Sequence, residues 1–212
     1  MAKLFPVFGD RRTRRVGLLG GSFNPAHDGH VHISREAMKR LGLHEVWWLV
    51  SPQNPLKPLK GMAPLADRLA TARALAADAN ILVGDLESDL GTTRTANVVQ
   101  ALVRRYPRLK FVWLMGADNL EQFPRWWRWT RIFHTVCVAV IDRSPYAYRA
   151  LAGAVAMRYK ARRTKPSRAI FAKEPPAWSY LAIRRHAASA SVIRDANTVA
   201  TTPTFKSFER LS

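Results

Sequence analysis

The hydrophobic residues of the chain form short, nearly continuous apolar runs that are separated by longer segments of helical spacing. Residues 15–20, 45–50 and 110–115 are such runs. Continuous apolar strands are typical of a sheet that is buried on both faces. Between the first two runs, residues 30–41 carry apolar side chains three and four positions apart, which predicts an amphipathic helix. The pattern therefore predicts a strand, a loop and a helix, followed by a second strand.

The alternation of strands and helices continues along the chain. Further helices are predicted at 64–78, 95–106 and 147–161, and further strands at 80–83, 135–141 and, as an edge strand, 169–172. Such alternation predicts an α/β fold, a Rossmann-like doubly wound parallel sheet with helices on both faces, which binds ligands at the carboxyl ends of its strands. We expect a single domain over 15–212, preceded by a basic N-terminal extension over 1–14.

Composition favours a folded protein. Hydrophobic residues make up 48% of the 212 positions and charged residues 23%, which is typical of globular domains. No apolar run approaches the roughly 20 residues needed to span a bilayer, and the basic N-terminus lacks the apolar core of a signal peptide. We therefore expect a cytoplasmic protein without a membrane partner. Its single cysteine, Cys137, is predicted to be a buried structural thiol.

The net charge of +19 predicts polyanionic partners. Nucleotide phosphates are one such class, and nucleic acid is the other, so a basic nucleic-acid-binding module is an alternative to an enzyme. The basic residues are dispersed along the chain, with dense runs only at 11–15 and 160–165. This dispersion favours solvated surface over a specific nucleic-acid site.

The loop after the first predicted strand carries the clearest candidate chemistry. It contains Gly20 and Gly21, followed by His27 and His30. Glycines allow a backbone to approach phosphates closely, and a helix that begins near Gly29 directs its free amides at an anion. Two imidazoles at that helix entrance can stabilise charge on a phosphate during displacement. Alternatively, the pair could be structural or part of a zinc site, but zinc needs further ligands, and only His32 is nearby.

Four segments together resemble a known family. Residues 20–30, Gly-Gly-Ser-Phe-Asn-Pro-Ala-His-Asp-Gly-His, resemble the H-x-G-H signature of a nucleotidyltransferase superfamily. Residues 51–57 are similar to the proline-and-lysine loop of bacterial nicotinate-nucleotide adenylyltransferases, and 116–129 to their acceptor-binding segment. Residues 189–194 are similar to their I-S-S-T-x-I-R motif. The resemblance spans about residues 16–196 and identifies the chain as a member of that family.

The resemblance implies that an acceptor phosphate attacks the α-phosphate of ATP directly and that magnesium pyrophosphate leaves. The implied partners are ATP and nicotinate mononucleotide, with Mg²⁺ carried by the ATP phosphates and no metal site on the protein. No specific nucleic-acid partner is implied, and a homo-oligomer stays open. The implied catalytic residues are His27, His30, Lys57 and Arg194. ATP contacts are implied for Gly20, Gly21, Ser22, Phe23, His27, His30, Ser189, Ile193 and Arg194, and acceptor contacts for Asn24, Lys57, Thr95, Asp118, Trp126 and Trp127.

Some of these roles also follow from residue chemistry. A lysine at position 57 can reach phosphate, and a helix-capping serine with an arginine one turn later can hold an anion. The faces of Trp126 and Trp127 suit stacking on a pyridine ring, whereas Trp129 is predicted to be core. The chain departs from the family pattern at Val98, Ala190 and Ser191, which changes individual hydrogen bonds. Phosphopantetheine and nicotinamide mononucleotide remain alternative acceptors.

Overall fold

The computed structural model describes residues 12–52, 61–77, 80–142 and 147–183. They form a seven-stranded sheet in which every neighbouring pair is parallel. Its strands are β1 (Arg15–Gly21), β2 (Glu45–Val50), β3 (Ile81–Gly84), β4 (Lys110–Gly116), β5 (Cys137–Ile141), β6 (Arg163–Thr164) and β7 (Trp178–Leu181). The helices are α1 (Asp28–Leu41), α2 (Leu65–Leu75), α3 (Leu86–Asp89), α4 (Thr95–Arg105), α5 (Ala117–Gln122), α6 (Trp129–Thr135), α7 (Ala147–Ala152) and α8 (Ala154–Arg158).

The sheet separates two apolar layers. Successive side chains of a strand point to opposite faces, so Leu18 and Trp47 pack on one side while Leu19 and Trp48 pack on the other. The first layer contains buried residues of α4, α5 and α6, and the second contains those of α1 and α2. The predicted doubly wound α/β fold, with helices on both faces, is confirmed.

The strand order β3-β2-β1-β4-β5-β7-β6 fixes where a ligand can enter. From β1 the chain builds the sheet outward in one direction through β2 and β3, and then in the other direction from β4. The connections that leave β1 and β4 therefore diverge, and in open α/β sheets such a divergence forms a crevice at the carboxyl ends of the strands. This reversal point is the usual binding position in open α/β sheets. We call this end of the sheet the mouth and the opposite end, where the strands begin, the base.

Local sequence explains how α1 begins and ends. His27 has an extended backbone immediately before the helix, and Asp28 places a carboxylate in the first turn, where it favours the positive end of the helix dipole. Lys39 and Arg40 lie in the last turn, and Gly42 ends the helix in the left-handed conformation, with φ 61°. The helix entrance therefore lies at the mouth and its end at the base.

The structure corrects two predictions in the C-terminal third and adds one strand that was not predicted. The helix expected over 147–161 is interrupted at Gly153, which is the N-cap of α8 and has an extended backbone. The edge strand expected over 169–172 is wrong, because Ser167 caps a 3-10 helix at Arg168–Ala172 instead. The strand at this edge of the sheet is β6, and the strand beside it, β7, was not predicted.

None of the helices in the described ranges has both the length and the apolar character that a membrane span requires.

Cys137 lies at the start of β5 and is buried. Its Sγ lies 3.5 Å from the carbonyl oxygen of Ile170 and 3.7 Å from that of Lys173, so the thiol joins the sheet to the 3-10 helix. Burial raises the pKa of this thiol to about 11. The predicted buried structural thiol is confirmed.

Candidate active site

The connection between β1 and α1 forms one wall of the mouth. At Gly20 a Cβ would lie 2.6 Å from Cη2 of Trp113, so this glycine is required by an indole that packs on the strand. At Gly21 the nearest atom to a Cβ would be Cε2 of Phe23, at 3.4 Å. The sequence predicts that the two glycines allow phosphates to approach the backbone. The structure adds that the missing side chain of Gly20 leaves room for the indole of Trp113. The residue with a left-handed backbone in this loop is Phe23, with φ 47°.

The two histidines are stacked at the entrance of α1. Their ring centroids are 3.9 Å apart, and the backbone N–H of His27 donates to Nδ1 of His30 over 3.2 Å. Because Nδ1 of His30 accepts this bond, the neutral ring carries its proton on Nε2, which is then the donor. The His27 side chain is buried and that of His30 is half-buried. The structure therefore brings the two predicted catalytic imidazoles together at the N-terminus of α1.

Two aromatic residues, Phe23 and Trp48, pack against the His30 ring. Phe23 lies 4.6 Å from that ring, centroid to centroid, and stacks at 5.0 Å on Trp48, whose ring also meets His30 edge-on at 5.8 Å. The indole N–H of Trp48 donates to Oγ of Ser34 over 2.9 Å, and that hydroxyl donates to the backbone carbonyl of His30 over 2.8 Å. Ring packing and these two hydrogen bonds fix both the side chain and the backbone of His30.

A buried arginine, Arg68 of α2, shapes the mouth and was not predicted. Its side chain is only 2% exposed, and burial lowers the pKa of the guanidinium. The group donates to four backbone carbonyls: Nη1 to Ser22 and Ser51, both over 2.7 Å, Nη2 to Pro52 over 2.8 Å, and Nε to Ala63 over 2.9 Å. These acceptors belong to the segments after β1 and β2 and to the approach to α2. Arg68 is thus a positioning residue that ties three segments of the mouth together.

Asn24 makes a second tie between the same segments. Its Nδ2 donates to the carbonyl of Gly61 over 2.8 Å, and its Oδ1 accepts from the backbone N–H of Ala63 over 3.1 Å. The resemblance implies acceptor contacts for Asn24. Both ends of its amide hold the loop that precedes α2, so it also fixes the shape of the mouth.

The end of β2 carries a further polar contact that the sequence did not reveal. The hydroxyl of Ser51 donates to Oε2 of Glu87 over 2.8 Å. Burial, together with the charge of Asp85, raises the pKa of Glu87, while the hydrogen bond from Ser51 opposes that rise. Glu87 therefore adds a partly buried carboxyl group to this side of the mouth.

On the other side of the crevice, Asp118 lies in the first turn of α5, directly after β4. Its Oδ1 is buried and has no hydrogen-bond partner among the residues that the structure describes. Asp142, which directly follows the neighbouring strand β5, has a buried Oδ1 in the same condition within the described ranges. Asp142 was not predicted. The two aspartates give the mouth two buried acceptor oxygens on adjacent strand ends, which is a suitable arrangement for ribose hydroxyls.

The tryptophans after α5 differ in exposure: Trp126 and Trp129 are both half-buried and pack against the core layer, whereas Trp127 is exposed, and the predicted stacking of Trp126 and Trp127 on a pyridine ring stays a prediction. Trp129 packs within 6.2 Å of Phe123 and Phe133, centroid to centroid, in the core layer. Trp126 meets Phe123 at 5.0 Å and, edge-on, Trp113 at 6.3 Å, which is the indole that lies on Gly20. Trp126 therefore belongs to an aromatic chain that reaches β1. Trp127 is 41% exposed, and the guanidinium of Arg128 lies 4.5 Å above its ring.

Thr95 and Val98 lie in the first turn of α4. Thr95 is half-buried, whereas Val98 is 1% exposed in the core. A hydroxyl at position 98 would need a hydrogen-bond partner in an apolar layer. The departure from the family pattern at Val98 therefore agrees with its burial.

The remaining predicted residues lie outside the described ranges. They are Lys57 of the proline-rich loop, residues 1–11 of the basic extension, and, from the C-terminal motif, Ser189, Ala190, Ser191, Ile193 and Arg194. The roles implied for them stay predictions.

Comparisons with known proteins agree with this geometry. The sequence model of the cytidylyltransferase-like family matches residues 18–196. A probable nicotinate-nucleotide adenylyltransferase of Cereibacter sphaeroides is 49% identical over 181 residues, covering 84% of this chain and 95% of the relative. Another protein of that name, from Bradyrhizobium, is 48% identical over 184 residues, covering 85% and 95%.

Solved structures support the fold. The nicotinic acid mononucleotide adenylyltransferase of Plasmodium falciparum, complexed with NaAD, superposes with a TM-score of 0.64 at 17% identity, covering 86% of this chain and 83% of that one. The same enzyme complexed with APC gives a TM-score of 0.62. The paired histidines lie at the reversal point of the sheet, and the sequence matches these bacterial relatives over nearly their whole length. The chain therefore belongs to the cytidylyltransferase-like family and, within it, to the nicotinate-nucleotide adenylyltransferases.

Proposed function

We propose that the protein transfers the adenylyl group of ATP to nicotinate mononucleotide, forming nicotinate adenine dinucleotide and pyrophosphate in NAD biosynthesis. The observation that carries this proposal is the His27–His30 pair at the N-terminus of α1, beside the crevice at the reversal point of the sheet. The family supplies the identity of the two substrates.

The chemistry is a single displacement at phosphorus. An oxygen of the mononucleotide phosphate forms a bond to the α-phosphorus of ATP, and the bond from that phosphorus to the bridging oxygen of the β-phosphate breaks. The electron pair leaves with pyrophosphate, so no covalent enzyme intermediate forms. Negative charge grows on the leaving phosphates, and groups that stabilise it in place lower the barrier.

Several groups of this chain suit that task. The Nε2–H of His30 is a donor whose ring is held by Phe23 and Trp48, and the amides of the first turn of α1 add positive potential. A donor fixed before the reaction needs no reorganisation as charge develops. Lys57, Ser189, Ile193 and Arg194 are proposed as further ATP contacts on the strength of the family motifs alone.

The acceptor is proposed to bind across the crevice. The buried Oδ1 of Asp118 is an acceptor for ribose hydroxyls, and the half-buried Trp126 offers a ring face for the pyridine. Thr95, Trp127 and Asn24 complete the proposed acceptor side, with Asn24 also fixing the loop that borders it.

A divalent cation is expected to accompany the triphosphate, and we propose Mg²⁺. Mg²⁺ commonly keeps several waters and is held through substrate phosphates and one or two carboxylates. The described part of the chain contains no cluster of three His, Cys, Asp or Glu side chains placed to hold a metal. We propose that the cation is bound chiefly by the ATP phosphates, whose charge it would neutralise.

Pyrophosphate release, measured with ATP and three acceptors in parallel, tests the proposal. Nicotinate mononucleotide should give the highest kcat/KM, above nicotinamide mononucleotide and phosphopantetheine. A higher value with either alternative would overturn the acceptor assignment. Salt-sensitive retention on RNA, without turnover of any acceptor, would instead support a nucleic-acid-binding module.

A further inference from the structure

The base of the sheet contains a cluster of cationic side chains around the end of α1. We define the basal cluster as Arg14, Arg15, His44 and Arg168. Arg15 is central, because its backbone N–H donates to Nδ1 of His44 over 2.9 Å and its Nε donates to the carbonyl of Gly42 over 2.6 Å. Its Nη2 lies 3.1 Å from Nε2 of the same His44 ring.

These two contacts of His44 cannot both be hydrogen bonds to a neutral ring. Neutral imidazole has one acceptor nitrogen and one N–H, while both contacts present N–H groups of Arg15 to ring nitrogens. With Nδ1 accepting from the backbone, Nε2 carries a proton that faces the guanidinium. In the opposite tautomer, Nε2 can accept from Nη2 of Arg15, but Nδ1 then carries a proton that faces the backbone N–H of Arg15. In the protonated ring, both nitrogens carry protons that face N–H groups of Arg15. At least one pair of donors therefore converges without an acceptor in between.

The remaining members add positive charge at the same place. The side chain of Arg168 runs along Gly42, with its Cβ, Cγ and Cδ at 3.5–3.6 Å from where a Cβ of that residue would lie. Burial, followed by the charges of Arg15, Arg14 and Arg168, lowers the pKa of His44, and the charge of Glu45 acts in the other direction. Glu45 itself is shared, since Oε2 lies 3.8 Å from Nη1 of Arg14 and Oε1 accepts from the indole of Trp47.

The end of α1 explains only part of this arrangement. Cations are favourable beside the last carbonyls of a helix, and the bond from Nε of Arg15 to the Gly42 carbonyl is of that kind. This bond does not account for the close placement of three further cationic or N–H groups, which are Nη2 of Arg15, Nε2–H of His44 and the guanidinium of Arg168. A tetrahedral oxyanion next to them would accept from both converging donors and offset the excess charge.

We propose that the basal cluster is a binding site for a phosphate group, separate from the catalytic mouth and at the opposite end of β1. A strand of seven residues is about 20 Å long, so one anion cannot serve both ends. The phosphate can be inorganic or belong to a polynucleotide strand, and both present the same oxygens to the three guanidinium groups.

NMR of the imidazole nitrogens in the full chain tests the proposal, with inorganic phosphate as the probe. Signals of His27 and His30 report on the mouth, and those of His44 report on the base, so the two ends are followed separately in one titration. We expect phosphate to shift the His44 signals saturably and to raise the pKa of His44, because an added anion favours the charged ring.

Three variants sharpen this result. Arg168→Gln should weaken phosphate binding at His44 about tenfold, as expected for the loss of one charge-assisted contact. Arg168→Lys should keep most of the affinity, and Arg35→Gln, which removes an exposed charge from the middle of α1, should leave it unchanged. Arg168 is preferred to Arg15 as the target because it forms no hydrogen bond to the helix end among the described residues. Circular dichroism checks that each variant is folded.

Failure of phosphate to move the His44 signals at concentrations that already move those of His30 would overturn the proposal. An unchanged affinity in Arg168→Gln would do the same. A second titration with a short single-stranded oligonucleotide distinguishes the sources. If the shift of the His44 signals saturates at a lower concentration of phosphate groups with the oligonucleotide than with inorganic phosphate, and depends strongly on salt, the site is assigned to a polynucleotide. The reverse order assigns it to a free phosphate.

Discussion

Arginine and histidine side chains gather at both ends of the sheet, but the two ends satisfy them differently. At the mouth, the guanidinium of Arg68 donates to four backbone carbonyls, and Nδ1 of His30 accepts from a backbone amide. At the base, Nη2 of Arg15 faces a ring nitrogen of His44 that cannot accept while Nδ1 does. Within the described residues, the backbone therefore supplies acceptors for the Arg68 guanidinium at the mouth, whereas at the base no acceptor lies between Nη2 of Arg15 and Nε2–H of His44, which makes the base a candidate site for an anion.

The largest expected effect concerns His30 at the mouth. We expect His30→Ala to lower kcat about 10²–10³-fold while the KM for ATP changes only a few-fold, because a fixed donor acts mainly on the charge of the transition state. Steady-state kinetics with both substrates measure this. His32→Ala, on the same helix, is the matched control and should retain most activity. Near-normal turnover in His30→Ala would contradict the assigned role.

Arg68 tests whether the mouth depends on internal acceptors. Replacing it with methionine keeps much of the buried volume but strands four carbonyls, and we expect a loss of about 3 kcal/mol in the free energy of unfolding. Denaturant titration measures the loss, and the melting temperature should fall by about 6–12 °C. Arg68→Lys keeps the charge and should be intermediate, since one ammonium cannot reach all four oxygens. If Arg68→Met is as stable as the parent protein, the carbonyls find other partners.

Gly20 and Gly21 form a matched pair on the same strand. Gly20→Ala forces a methyl group to 2.6 Å from the Trp113 indole, and overpacking of this kind costs about 1–3 kcal/mol. Gly21→Ala meets its nearest atom at 3.4 Å and should cost less. Unfolding free energies of the two variants, measured side by side, check the difference. Equal losses would mean that the backbone, and not the indole, requires glycine at position 20.

The smallest expected effect is the pH dependence of the base. Because the folded-state pKa of His44 lies below its ordinary value of 6.5, the unfolded chain binds this proton more readily, and the contribution of His44 to stability is lost as pH falls below about 6.5. His44→Gln should remove that part of the loss. Unfolding free energies between pH 7.5 and 5 test it, and identical pH profiles for the two proteins would contradict the shift.

The sequence predicted the central sheet because its strands are continuous apolar runs, and such runs have few alternatives once they are buried on both faces. Strand β7 was missed because it is only four residues long and includes Ser179 and Tyr180. The residues 169–172 were mistaken for a strand, since apolar content alone does not show that Ser167 caps a 3-10 turn there. Prediction therefore failed where short segments take their conformation from local capping.

The sequence predicted those parts of the candidate site that lie within one short motif, and it did not predict the parts that depend on contacts between separate segments. His27 and His30 are close in sequence, so a local motif reveals them, and the helix that begins at Asp28 confirms the predicted entrance. Arg68 gave no signal, because an arginine in an alanine-rich helix ordinarily lies in solvent, and three of its four acceptors come from two segments that are distant in sequence. Asp142 follows β5 and becomes notable only once that strand is known to lie beside β4.

The buried thiol of Cys137 has a practical consequence. With a pKa of about 11, only about one molecule in ten thousand carries the reactive thiolate at pH 7, and the sequence contains no other cysteine. A cysteine introduced on the surface can therefore be labelled with a maleimide fluorophore or spin label while the native one is left in place. Single labels near either end of the sheet would then report ligand arrival there in the otherwise unaltered protein.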